Sequence, residues 1–536
     1  MSSWLSPAPV NAQPPLEPAT AARPAPDRAS CRPNDRSARG RAISHPDRSG
    51  VSAATNAPVT TGVGAPVSPP GPALGPLLPV VGGDLRAPVV SGDPVRYVNL
   101  DYAASAPALA AVAARVTEVL PVYSSVHRGA GYASQVSTQL YESARVTVGR
   151  FVGARDGDVV VFTRNTTDAL NLLAACLPAR REDGAAGDVV VLDIEHHANL
   201  LPWQRLGYRC VTAASTVEAT LESLRRALRA APATLVALTG ASNVTGETLP
   251  VAKVARIAHR YGARLVVDAA QLAPHRRIDL GTLGADYVAF SGHKLYAPFG
   301  TGALVGRRDW LDEAPAYLAG GGAVREVTTE GVVWADAPAR HEGGTPNVLG
   351  AVALATACDT IAALPAGALA NHEKTLLARL RAGLVNIGGI RELRVWAEHT
   401  DQIGVLGFCV DGHDAGRVAA YLSAEHGIGV RDGRFCAHPL LATLAGGEPA
   451  LRASVGLGSS SADIDRLVTA LEQLLRRGAR WRYARVSDRW APTPDPRPRH
   501  PSAFPEWAAA VTAGQSGALP CETTTQAGPA VPLTDW

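Results

Sequence analysis

Long apolar runs are missing from this sequence. No stretch approaches the roughly 20 residues that a membrane-spanning helix needs, so no such span is expected. Charge of one sign is scarce too: the net charge of the 536 residues is only +3, which gives no electrostatic reason to expect a nucleic acid or an anionic membrane as partner. The seven cysteines are odd in number and irregularly spaced, which fits neither a disulfide framework nor a zinc site; a reducing cytoplasm is the expected compartment. Methionine occurs only as Met1, which leaves the start of translation open, and no apolar signal-peptide core follows it. Lysine occurs three times among 51 basic residues, as Lys253, Lys294 and Lys374. Arginine keeps its proton and cannot serve as an amine nucleophile, whereas a lysine of lowered pKa can. Lys253 and Lys374 fall in helix-like stretches with charged or polar neighbours. Lys294 instead follows the apolar run Tyr287-Val288-Ala289-Phe290 and precedes a Gly/Pro-rich turn.

A hydrophobic content of 46% supports a sizeable core and two domains with extra segments. Residues 1–90 are rich in Pro, Ala, Ser and Arg and poor in aromatics, so they are expected to stay disordered. Their Arg-rich, acid-poor composition is like that of a transit peptide, but the prolines argue against the amphipathic helix such peptides form. Residues 91–348 alternate short β-branched runs with helix-period stretches, the pattern of an α/β domain with a mostly parallel, doubly covered sheet. The predicted strands are Val159–Phe162, Val189–Leu192, Thr234–Leu238, Leu265–Val267 and Tyr287–Phe290; helices are predicted over Thr216–Leu228 and Val251–His259. Residues 349–480 predict a smaller α+β domain, and 481–536 a loosely ordered extension in which Phe504–Trp507 is expected to dock locally.

In parallel sheets of this kind ligands bind beyond the carboxyl ends of the strands. Thr166 and Thr167 follow the first predicted strand at the start of an apolar helix, where N–H groups and hydroxyls suit a phosphate, although any one such Thr reads more simply as an N-cap. His196 follows the second strand and Asn243 the third; neither says much alone. Asp268 ends the fourth, with Gln271 just beyond. A buried carboxylate needs a partner, for which a protonated heterocyclic nitrogen and an ordinary helix cap are equal candidates. The fifth strand then delivers Ser291, His293 and Lys294. An acid on one strand end and an amine on its neighbour are what the two ends of a pyridoxal ring require.

Asp268-Ala269-Ala270-Gln271 followed by Ser291-Gly292-His293-Lys294 resembles the signature of class V aminotransferases, which are fold-type I pyridoxal 5′-phosphate (PLP) enzymes, and more narrowly that of the Suf/Csd-type cysteine desulfurases. Matching stretches include Asn99–Ala104, Val126–Gly129, Glu195–Asn199, Ser242–Gly246, Gly344–Asn347 and Arg452–Ser454, so the resemblance spans about 95–478. It implies a homodimer with PLP. Lys294 would carry the internal aldimine and shuttle protons. Asp268 would hold the pyridine nitrogen, His196 would stack on the ring, Gln271 would meet the ring oxygen and Asn243 would line the pocket. Thr166, Thr167, Ser291 and His293 would bind the phosphate, joined by Thr345 from a second subunit. Arg452 would clamp the carboxylate of an amino-acid substrate. Cys436 would take the sulfur of L-cysteine as a persulfide, releasing alanine, and hand it to an acceptor protein. The resembled pattern carries His-His before this cysteine, where the present chain has Arg434 and Phe435. Two alternatives stay open: a class V aminotransferase or another PLP-dependent lyase, including a selenocysteine lyase, that does not use Cys436; and a catalytically silent PLP-fold binding protein.

Overall fold

The structure is a computed structural model that describes residues 73–498 apart from Glu182 and His399. Its centre is a seven-stranded sheet of β1 (Val159–Thr163), β2 (Asp188–Leu192), β3 (Tyr208–Val211), β4 (Ala233–Thr239), β5 (Arg264–Asp268), β6 (Tyr287–Ser291) and β7 (Gly302–Gly306), in spatial order β1-β7-β6-β5-β4-β2-β3. The pairings from β3 across to β6 are all parallel, while β7 runs antiparallel to both β1 and β6. Alternate residues of each strand point to opposite faces. Val160, Leu265 and Val267 join one apolar cluster with helices Val217–Ala230 and Val251–Arg260. Val161, Val266 and Ala289 join another, on Trp203 and helix Thr166–Ala175. Both faces are therefore covered, which is why these strands are continuous runs of β-branched residues.

β3 and β7 are absent from the elements expected from sequence. β3 is a short edge strand, Tyr-Arg-Cys-Val, with little apolar signal. β7 is bounded by glycines, and its first glycine has a steric reason: a Cβ on Gly302 would come within 2.6 Å of Phe290 O and 2.8 Å of Asn165 Cα.

The second layer is a four-stranded antiparallel sheet of β8 (Ile390–Glu392), β9 (Val405–Val410), β10 (Arg431–Gly433) and β11 (Ala450–Ser454), in order β8-β9-β11-β10. Helices Ala368–Ile387, Ala415–His426 and Ser461–Arg477 cover it through a core that includes Leu380, Phe408, Leu422 and Leu467. The last of these helices starts at a capping box, in which Ser460 and Asp463 satisfy each other's backbone N–H groups.

Two expected boundaries shift. Residues 73–90, assigned to the loose N-terminal stretch, are placed: Arg86–Val89 pairs with Gly92–Arg96, and Leu77 N and Leu78 N donate to Leu457 O. Val98–Asn99, assigned to the large domain, pairs in parallel with Ile428–Gly429, and Val98 and Leu100 are fully buried in the small-layer core. Residues 483–492 form a hairpin, Tyr483–Val486 with Arg489–Pro492. Residues 1–72 and 499–536, including Phe504–Trp507, lie outside the described residues.

Candidate active site

Because β7 runs antiparallel to both β1 and β6, the carboxyl ends of β1 and β6 lie at the same edge of the sheet, flanking β7. Thr166, the first residue of helix Thr166–Ala175, donates its N–H to Ser291 Oγ at 2.7 Å, and the two hydroxyls are 2.7 Å apart. Asn165 caps this helix by accepting from Asp168 N at 3.0 Å. Thr167 stands exposed on the same turn. A helix N-terminus ringed by hydroxyls is a ready anion site.

Asp268 closes β5 and is buried, with Oδ1 accepting from Ala270 N at 2.9 Å. Burial raises its pKa, while the Ala270 hydrogen bond and the charge of Lys294 hold it down. Lys294 lies one strand away, partly buried. Burial pushes its amine down to about 8, against the pull of Asp268; Arg452 lowers it further and Cys436 raises it. An amine in that range is neutral in a useful fraction of molecules at neutral pH. His196 follows β2 and accepts from Ala198 N through Nδ1 at 3.0 Å. Burial pushes it to about 3, so a neutral imidazole that carries its proton on Nε2 faces the cavity. His293, pushed to about 4 by burial and by Lys294, is joined through Nδ1 to Ser105 Oγ at 2.7 Å. Gln271 donates through Nε2 to Ala103 O at 2.7 Å, and its buried Oε1 has no protein partner.

The small layer supplies the opposite wall. Arg452 on β11 is buried; Nη1 donates to Asn243 O at 2.8 Å and Nη2 to Asp101 Oδ1 at 3.1 Å, while its buried Nε has no acceptor. An unmatched buried donor costs about 1–3 kcal/mol, so Nε stands in need of an acceptor. Cys436 sits in the loop after β10. Phe435 and Cys436 both have left-handed backbones, at φ 53° and 51°. That conformation costs a side-chain-bearing residue roughly 1–2 kcal/mol, and three hydrogen bonds hold it here: Asn243 Nδ2 to Phe435 O at 2.8 Å, His197 N to Cys436 O at 2.8 Å and Ala437 N to Arg434 O at 3.0 Å.

Together these walls enclose a cavity of about 430 Å³, lined by every residue predicted from the sequence except Thr345. Thr345 is exposed and lines a separate recess of about 590 Å³ beside His127, Arg128 and Glu342. Sequence reasoning missed four contributors. Asp101 lay within a matched stretch but had no role assigned. Phe435 was visible only as a departure from a pattern. Ser105 and Arg431 carried no signal. The arrangement offers an anion cradle at one end, a buried carboxylate for a cationic ring nitrogen, an amine for a carbonyl, and a guanidinium facing a thiol.

The profile of the family described as aminotransferase class-V matches residues 98–467. A cysteine desulfurase of Dickeya dadantii is 37% identical over 396 residues, covering 72% of this chain and 93% of that protein. The apo structure of a cysteine desulfurase from Thermococcus onnurineus superposes with a TM-score of 0.65 at 33% identity, covering 71% of this chain and 95% of that one. The cysteine desulfurase CsdA of Escherichia coli, solved with an S-sulfonic acid, gives 0.62 at 33% identity, over 71% and 94%.

Proposed function

The chain belongs to the class-V aminotransferase family, and on that premise we propose that it is a PLP-dependent cysteine desulfurase that moves the sulfur of L-cysteine onto Cys436 and releases alanine. The observation that carries this reading is that Cys436 lines one cavity with Lys294, Asp268 and Arg452.

The residues fit the cofactor the family implies. Ser291, Thr166, Thr167 and His293 would hold its phosphate, His196 its ring face and Gln271 its ring oxygen. Asp268, buried and in need of a cation, would face its pyridine nitrogen. When bound, PLP supplies an aldehyde for amines and a ring that accepts an electron pair from the substrate carbon. Arg452 binds the substrate carboxylate, with Nε as the donor still free. Lys294 Nζ, once unprotonated, takes the Cα proton and returns it. Cys436 Sγ then attacks the substrate sulfur: an S–S bond forms, the Cβ–S bond breaks, and its electron pair stays with the carbon skeleton. That skeleton takes up protons and leaves as alanine, so sulfur is oxidised as carbon is reduced.

The persulfide is handed on to an acceptor protein. A second copy of the chain supplies Thr345, which its exposure supports; the hairpin Val324–Val327 with Val332–Trp334 also exposes Val327, Val332 and Val333. The thiol chemistry proposed for Cys436 supports a reducing cytoplasm as its compartment.

Cys436→Ala tests the reading. The variant should bind PLP as the wild type does yet lose sulfide and alanine release from L-cysteine. Unchanged turnover would overturn the assignment, and keto-acid formation at an unaltered rate would make the protein a transaminase.

A further inference from the structure

Phe435 is the side chain that the proposed reaction leaves unexplained. It lies in the loop that carries the sulfur acceptor, with a backbone φ of 53°, and a left-handed backbone is a genuine outlier for so bulky a residue. Its ring is nevertheless buried, at 7% exposure, in the large apolar cluster with Ala437 and Leu441. There it meets a charge: the Arg452 guanidinium lies over the ring, with Cζ 5.2 Å from the centroid. Asn243 ties the two together. Its side chain donates to Phe435 O at 2.8 Å, and its own carbonyl accepts from Arg452 Nη1 at 2.8 Å. Asp101 holds the other terminal nitrogen.

A planar guanidinium receives a carboxylate along an edge, so its usefulness depends on the angle of its plane. Two hydrogen bonds fix its terminal nitrogens but leave rocking about the line between them. An aromatic face packed on the plane removes that freedom and, by cation–π attraction, steadies the charge in a buried site. Nε is then the buried nitrogen of that plane without an acceptor.

From this geometry we infer that Phe435 is a positioning residue: its ring, forced inward by the left-handed turn, sets the plane of Arg452 and with it the affinity of the cavity for an amino-acid carboxylate. The inference rests on the reading of Arg452 as the carboxylate clamp. It also makes the loop serve two ends, since the turn that presents Cys436 is the one that seats Phe435 on the clamp.

The test uses the PLP-loaded enzyme with Phe435→Leu, which keeps apolar bulk without a π face, and Phe435→Tyr, which keeps the face. Calorimetric titration with L-alanine reads carboxylate affinity without sulfur chemistry, and steady-state assays with L-cysteine separate KM from kcat. Phe435→Leu should weaken L-alanine binding and raise KM about three- to thirty-fold, the span of a partly to fully desolvated cation–π contact. Its kcat should change less than its KM, its thermal midpoint should fall no further than trimming one buried side chain costs, and Phe435→Tyr should restore affinity. Equal L-alanine affinity in Phe435→Leu and wild type overturns the inference, as does a loss in Phe435→Leu that Phe435→Tyr shares. A wild type that binds L-alanine in this pattern but releases no sulfur from cysteine overturns the desulfurase reading alone.

Discussion

The lowered pKa of Lys294 can be measured directly, because the chain has only two other lysines to compete. Burial brings the amine from its ordinary 10.5 down to about 8. At pH 7 roughly a tenth of the molecules then carry a neutral amine, against about three in ten thousand at the ordinary value, a gain of about 300-fold. Reductive methylation with formaldehyde and cyanoborohydride, on protein freed of cofactor and followed lysine by lysine in peptide digests, reads this. Formaldehyde is small beside a 430 Å³ cavity. Access scales the absolute rate, but the pH profile reports the protonation state. The Lys294 rate should rise tenfold per pH unit up to about pH 8 and level off above it, while Lys253 and Lys374, both exposed on helices, monitor reagent decay. The sign of each neighbour follows from its charge. Asp268 favours the ammonium form, so Asp268→Asn should move the break to lower pH; Arg452 disfavours it, so Arg452→Gln should move the break up. A Lys294 rate that climbs unbroken to pH 10, or a break that rises in Asp268→Asn, refutes the account.

Two further predictions concern what holds the site in place. Trp203 is fully buried in the apolar cluster on one face of the central sheet, and its Nε1 donates to Asn199 O at 3.0 Å; Trp203→Ala should cost about 3–5 kcal/mol, seen as a lowered urea midpoint, and an unshifted midpoint would contradict the packing. Glu373, fully buried on helix Ala368–Ile387, is paired with His275 and with Arg276 Nη1 at 3.0 Å, and Arg276 Nε reaches Asp401 at 2.9 Å. Arg276→Leu leaves that carboxylate half-compensated, so a loss of about 3 kcal/mol is expected; Arg276→Leu with Glu373→Leu should recover part of it, and a double variant worse than the single would show that the pair is not coupled as drawn.

How much of this was legible in the sequence depended on how local each cause is. Val159–Phe162 predicted a strand and Val159–Thr163 is one; Val251–His259 predicted a helix and Val251–Arg260 is one. Those elements are specified by neighbouring side chains. The carboxyl ends of parallel strands converge by topology, so Asp268 and Lys294 could be set side by side from strand order alone. β7 escaped because its signal is two glycines, and the need for one of them lies in the backbone of β6 and Asn165. Val98 and Leu100 escaped because their core is built from residues more than 270 positions further along.

The small-layer half of the site was illegible for the same reason in a stronger form. Asp101 and Arg452 are 351 residues apart, and no pattern in either segment announces the bond between them. Phe435 could be seen only as a residue out of place. Its position follows from three things that sequence does not place together: a strained turn, the amide of Asn243 and the plane of a guanidinium. Strain of this kind persists only where surrounding contacts over-determine it. Here those contacts come from both layers, since Asn243 follows β4 of the large sheet and Arg452 lies on β11 of the small one. The presentation of Cys436 is therefore a property of the joint between the layers, and a substitution that loosens that joint should disturb the carboxylate clamp and the thiol together.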